Sequence, residues 1–318
     1  MAERCAVMFS GAAGSSLGVR LAGHRVIWAA NHEPACIQLH EANFPEAAHV
    51  CEDLVRYDHG MMPEHDILVA SPVCRGYSTA GRPARKNSKV SASKHNASRA
   101  TLWSVIDALE IHQPRAFIVE NVPEIQDWPL FKGWLECVRL LGYTTTVSCL
   151  TASRWGVPQR RERLFAVGMR GRSRLGPIVD PQTPEPGVES VIDWDAGKWR
   201  PFSACPGEEA RPQLERAAAE LRGGIGFALQ VDCRPVRRAS EPMATMTRKL
   251  MSQTMLVKGK LYRKPTAREA FRLMGFPDDY VIPSSIPKGQ LYEMAGDAVC
   301  PPVMQGVIER VVEAMRRR

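Results

Sequence analysis

The chain has 318 residues, 42 Lys or Arg against 34 Asp or Glu, and its formal charge of +8 is local: seven basic residues and no acid lie between Asp66 and Asp107. One basic segment on a nearly neutral body argues against a uniformly basic protein that coats nucleic acid. Apolar residues at 44% suit a sizeable core in one large domain or two smaller ones.

In chain order, Cys5–Phe9 predicts a strand, followed by Gly11, Gly14 and a helix through Leu17, Val19 and Leu21. Val26–Ala29 predicts a second strand, with a helix after Pro34. Ile67–Ala70 and Phe117–Val119 are further buried strands, each ended by turn chemistry. A helix over Leu130–Leu141 and strands at Thr144–Leu150 and Leu164–Gly168 complete an alternation that predicts an open, mostly parallel α/β sheet. From about 171 to 262 the chain is rich in Pro, Gly and Arg, with one clear helix at Arg211–Leu221, and reads as a loop-rich insert or second domain. Thr266-Ala267-Arg268-Glu269 has the spacing of a capping box ahead of Phe271, and a last helix runs from Val303 to Met315.

No apolar run approaches the roughly eighteen residues of a membrane span, and Met1-Ala2-Glu3-Arg4 leads into a strand-like stretch without a signal peptide's apolar region. Nine cysteines include no C-x-x-C pair, which disfavours disulfide scaffolds and structural zinc. A cytosolic chain with free thiols is expected.

Phe9-Ser10-Gly11-Ala12-Ala13-Gly14 is a glycine-rich turn between a strand and its helix, where a ligand can approach the backbone. Glu33 follows the second strand and Asp53 precedes the next, so a nucleoside-bearing cofactor is plausible. Cys74 follows a buried strand on a turn, beside Arg75, where a thiol is placed to react as thiolate. Glu120 is delivered by another buried strand to the same sheet edge. Arg161 and Arg163 precede a strand, and alternation points both to one face.

In order and spacing these residues resemble the DNA cytosine-5 methyltransferase family. The glycine turn resembles its cofactor motif, Cys74 its nucleophile, Glu120-Asn121-Val122 its acid motif and Gln159 to Arg163 its arginine motif. Ala267-Arg268-Glu269 with Leu273-Met274-Gly275-Phe276-Pro277, and Gln290 to Val299, resemble its last two motifs. Val73, Arg75 and Asp297 stand where the family usually has proline, glutamine and asparagine.

The resemblance implies a doubly wound, Rossmann-like S-adenosylmethionine-dependent methyltransferase sheet, from residues 1–170 and the helices after 263, with a small target-recognition domain at 171–262. It implies S-adenosylmethionine held by Phe9, Gly11, Gly14, Leu17, Glu33, Asp53, Pro72, Asp297 and Val299, with no metal. Double-stranded DNA is the implied partner, held through Arg75, Ser78, Arg82, Arg85, Lys86, Lys89, Gln159 and Arg237. Cys74 would add to C6 of a flipped-out cytosine, Glu120 would act at N3 from a water-poor pocket, and Arg161 and Arg163 would hold the O2 side. Residues 76 to 99, with almost no large apolar side chains, are expected not to fold alone and to close over the base along the phosphates. The expected protein is a monomeric, cytoplasmic, nucleoid-associated enzyme of microbial or phage type. A tRNA cytosine methyltransferase and a catalytically impaired DNA-binding homologue are the alternatives.

Overall fold

The computed structural model describes residues 1–74, 89–171, 173–205, 210–229, 236–247 and 253–317, with the side chains of 89–98, 228 and 229 left aside. The chain forms two compact units: Met1–Leu150 with Glu162–Asp180 and Pro301–Arg318, and Thr151–Arg161 with Pro181–Cys300.

In the first unit, β1 (Arg4–Met8), β2 (Arg25–Ala30), β3 (Ala48–Val50), β4 (Ile67–Ala70), β5 (Ala116–Asn121), β6 (Tyr143–Thr151) and β8 (Glu162–Arg170) form one sheet in the order β3-β2-β1-β4-β5-β8-β6. β1 pairs parallel with β2 and β4, as do β2 with β3 and β4 with β5, whereas β8 runs antiparallel to β5. The sheet is doubly wound, and its strand order reverses between β1 and β4, the place where open α/β sheets bind ligands. β4 and β5 are buried throughout, which is why they read as continuous apolar runs rather than alternating ones.

The helices are α1 (Gly14–Leu21), α2 (Pro34–Asn43), α3 (Lys89–His112), α4 (Pro129–Leu140) and, far along the chain, α8 (Pro301–Arg316). Met8, Leu68, Leu102, Phe117 and Trp134 belong to one core. α3 takes in the end of the segment 76–99: residues 89–99 are the first turns of a helix of 24 residues. Those turns lack an apolar face, but Leu102, Val105 and Leu109, spaced by three and four, are wholly buried and carry the helix.

α1 packs on α8 through Gly18: a Cβ there would lie 2.6 Å from the Met304 Cβ and 2.9 Å from the Gln305 amide. Gly18→Ala gains about 1 kcal/mol of helix propensity. It must also push two helices apart, at a cost of about 1–3 kcal/mol. The contact is with Cβ and backbone, not a flexible side-chain end, so the expected result is a lower melting temperature. A variant that melts higher than wild type would remove the close-packing account.

Beneath the glycine turn, His40 Nε2 lies 2.7 Å from Ser16 Oγ and its Nδ1 2.8 Å from His49 Nε2. Burial, then His49 and Arg20, push its pKa from 6.5 down to about 3. The unfolded chain therefore takes the proton first, and stability is lost as pH falls below the unfolded value of 6.5. At pH 5 His40 alone costs about 2 kcal/mol. His40→Gln should shrink the melting-temperature difference between pH 7.5 and pH 5; an unchanged difference would refute this account.

The second unit contains β7 (Gln159–Arg160), β9 (Arg200–Pro201), β10 (Ile225–Leu229), β11 (Arg237–Arg238), β12 (Met243–Ala244), β13 (Thr254–Lys258) and β14 (Leu261–Arg263). Its helices are α5 (Ala210–Leu221), α6 (Ala267–Arg272) and α7 (Lys288–Asp297). Here the loop-rich expectation is corrected: five strands pair as β11-β10-β13-β14-β9. Leu214, Ala217 and Leu221 of α5 share a core with Met255, Val257 and Tyr262.

The unit is larger than the compositionally distinct segment and takes in residues 263–300, while 171–180 lie with the first unit. Its anchor is the expected capping box: Thr266 Oγ1 accepts the Glu269 amide at 3.1 Å and Glu269 accepts the Thr266 amide at 2.7 Å. Glu269 also pairs with Arg263 at 2.7 Å. Burial alone would push that carboxyl up, but the hydrogen bonds from Arg263 and Thr266, with the charge of Arg263, hold it below its ordinary value.

Candidate active site

Every chemically distinctive residue of the first unit lies at or beyond the carboxyl ends of its parallel strands, or at the adjoining end of β8. β1 ends in a turn with Phe9, Gly11 and Ala13 all at positive φ (57°, 51° and 59°). Gly11 adopts that conformation without strain, whereas Phe9 and Ala13 are held there by the surrounding fold. The Ser10 amide donates to the Ala30 carbonyl at 2.9 Å, while its buried Oγ has no partner among the described residues. Gly14 opens α1, and Leu17 faces the core.

Glu33, half-buried, is the N-cap of α2, and its amide is fixed by Asn31 Oδ1 at 2.9 Å. Asp53 is exposed and accepts the Val55 amide at 3.1 Å. Oxygen acceptors beyond β2 and β3, and a strained turn with an orphaned hydroxyl beyond β1, fit a ligand carrying an amino acid and a nucleoside.

The turn after β4 is held from three sides. The Ser71 amide donates to the Met8 carbonyl at 3.3 Å, and the Asn121 side chain donates to the Pro72 carbonyl at 2.9 Å. The Val73 amide donates to Thr101 Oγ1 of α3 at 3.1 Å. Pro72 is buried and Cys74, next on the turn, is half-buried against the core. Thr101 and Asn121 thus position the thiol's backbone. Asn121 sits in the quoted acid motif, but nothing local marks Thr101, 28 residues downstream.

Glu120, the penultimate residue of β5, has 6% of its surface exposed. It lies directly opposite Phe165 of β8, so it shares a face with Arg163, two residues earlier. The result is an ion pair of 3.2 Å between Arg163 Nε and Glu120 Oε1, with side chains 15% and 8% exposed.

Gln159, Arg161, Arg237, Asp297 and Val299 belong to the second unit. Arg161 is buried and donates to the Met246 carbonyl at 2.9 Å. Gln159, expected at a DNA surface, is wholly buried: its amide donates to the Leu273 carbonyl at 3.1 Å and accepts from the Met246 amide at 2.8 Å. It organises its own unit. Arg237 is half-buried, Asp297 exposed and Val299 buried. Arg75, Ser78, Arg82, Arg85 and Lys86 lie outside the described residues, as does the side chain of Lys89. Among the described residues no cluster of His, Cys, Asp or Glu could hold a metal, and no helix is long and apolar enough to cross a membrane.

Residues 4–313 match the model of the C-5 cytosine-specific DNA methylase family. The chain belongs to that family. It is 29% identical over 312 residues to type II methyltransferase M.NgoBI of Neisseria gonorrhoeae, covering 94% of this chain and 89% of that one. It is 26% identical to M1.ScrFI of Lactococcus lactis, over 98% and 78% of the two chains. The fold matches a prophage-encoded Escherichia coli protein described as a putative DNA modification methyltransferase, at a TM-score of 0.70 and 20% identity over 99% and 100% of the chains. It also matches a Spodoptera frugiperda DNMT2 variant at 0.71 and 15%, over 98% and 100%. The chain is a DNA cytosine-5 methyltransferase of doubly wound architecture.

Proposed function

We propose that the enzyme methylates C5 of a flipped-out cytosine within a specific duplex sequence through a covalent Cys74–C6 intermediate. The observation that carries this is the arrangement at the edge of β4 and β5: a thiol on a turn pinned from three sides, and an adjacent carboxyl paired with Arg163. C5 of an aromatic cytosine is a poor nucleophile. Addition of the Cys74 thiolate to C6 breaks the aromaticity and leaves electron density on C5. Glu120, once it has taken a proton from solvent, donates a hydrogen bond or that proton at N3 as charge builds there, and Arg163, beside it, holds the O2 side.

S-Adenosylmethionine supplies an electrophilic methyl group when bound. The glycine turn, with Phe9, Gly11, Gly14 and Leu17, would hold its amino-acid part, Glu33 its ribose and Asp53 its adenine, with Pro72 beside them. After transfer, a solvent water takes the C5 proton and Cys74 leaves C6 as the thiolate, which restores the base. Residues 171–262 serve as the recognition domain. The enzyme acts as a monomer in the cytoplasm, at the nucleoid.

Bisulfite sequencing of DNA from cells expressing the protein should show methylcytosine at one recurrent sequence. Methyl label that appears in tRNA and never in DNA would overturn the DNA reading. The relatives named as type II methyltransferases, at 24–29% identity over nearly the whole chain, favour DNA.

A further inference from the structure

A cavity of about 380 Å³ opens in the second unit beside β9 and β14. Lys198, Arg200, Lys264 and Lys288 line it, with Tyr262 and Arg263, and among the described residues no carboxylate does. Arg263 is spent on Glu269. The other four cations are exposed and make no ion pair among the described residues. Nearby acids are engaged elsewhere: Asp195 with Lys258 at 2.9 Å, and Asp193 with the amides of Asp195 and Ala196.

Basic residues on an edge strand often serve only to block pairing with another sheet, and Arg200 lies on β9, the last strand of its sheet. That role does not account for Lys198 and Lys264, which lie outside the strands, or Lys288, which begins α7. Four like charges around one concavity repel one another unless an anion is seated there.

We infer that this cavity is a phosphate seat: Lys198, Arg200, Lys264 and Lys288 hold backbone phosphodiesters of duplex DNA, independently of base sequence. The inference rests on the DNA reading above and adds an anchoring site separate from the nucleophile and its loop. Phosphate contacts fix register and carry no sequence information, so a random-sequence duplex suffices as probe.

The test compares two double variants of equal charge loss, Arg200→Gln with Lys264→Gln, and Arg222→Gln with Lys260→Gln on exposed positions away from the cavity. For the cavity pair, duplex affinity should fall about 8- to 60-fold at 0.1 M salt, and the slope of log affinity against log salt should lose about 1 to 2 units. The control pair should barely change. Melting temperature and S-adenosylhomocysteine affinity should stay at wild-type values in both. Equal slopes for the two pairs, or a loss confined to tRNA, would overturn the phosphate seat. Failure of the wild type to bind any duplex would instead defeat the functional reading.

Discussion

Cys74→Ser should abolish methyl transfer while leaving the fold and duplex binding in place. The reacting species is the thiolate, present at a few per cent near neutral pH for an ordinary cysteine. A serine hydroxyl ionises far less and is the poorer nucleophile toward C6. Loss of a nucleophile costs at least about 10³-fold in turnover where no other group can replace it. The structural cost is small, because Cys74 is half-buried and its turn is held by Ser71, Asn121 and Thr101 through backbone atoms that the substitution leaves alone. Melting temperature should therefore stay near wild type. Duplex DNA carrying 5-fluorocytosine at candidate sites should form a denaturation-resistant adduct with wild type and none with the variant. Tritium transfer above a tenth of the wild-type rate in the serine variant would exclude Cys74 as nucleophile.

The sheet of the first unit was legible because its central strands β4 and β5 are buried throughout and its strands alternate with helices. Ile67–Ala70 and Phe117–Val119 have no other reading within an alternating chain. α3 was missed because its first eleven residues carry Lys, Ser, Asn and Ala rather than an apolar stripe. The signal lay further on, in Leu102, Val105 and Leu109. The five-stranded sheet of the second unit was missed for a different reason: its strands span two to five residues, too few for alternation to stand out. Their partners are also distant, as when Ile225 pairs with Lys258.

At the site, Cys74 and Glu120 stand out in the sequence because one lies on the turn after a buried strand and the other near the end of the next. Gln159 was misplaced because alternation assigns a face but not what covers it. Leu273 and Met274, more than a hundred residues away, take up its side-chain amide.

The second large effect is expected at Glu120, where stability and catalysis must be separated. Glu120→Gln removes the carboxyl but keeps the shape. Its amide can donate a hydrogen bond but cannot transfer a proton to N3, so turnover should fall about 10²- to 10⁴-fold. The same change removes the negative charge opposite Arg163, which is 15% exposed and keeps neutral acceptors such as the Glu162 carbonyl at 2.7 Å. Loss of a charged partner for a guanidinium so placed costs about 1–3 kcal/mol, so the melting temperature should also drop. Glu120→Asp divides the two effects: it restores a negative charge for Arg163 but withdraws the carboxyl by one methylene. Stability should return toward wild type while turnover stays low, and the apparent affinity for S-adenosylmethionine should hold in both variants. If the aspartate regained rate in step with stability, Glu120 would be a structural partner of Arg163 rather than the group that acts on the base.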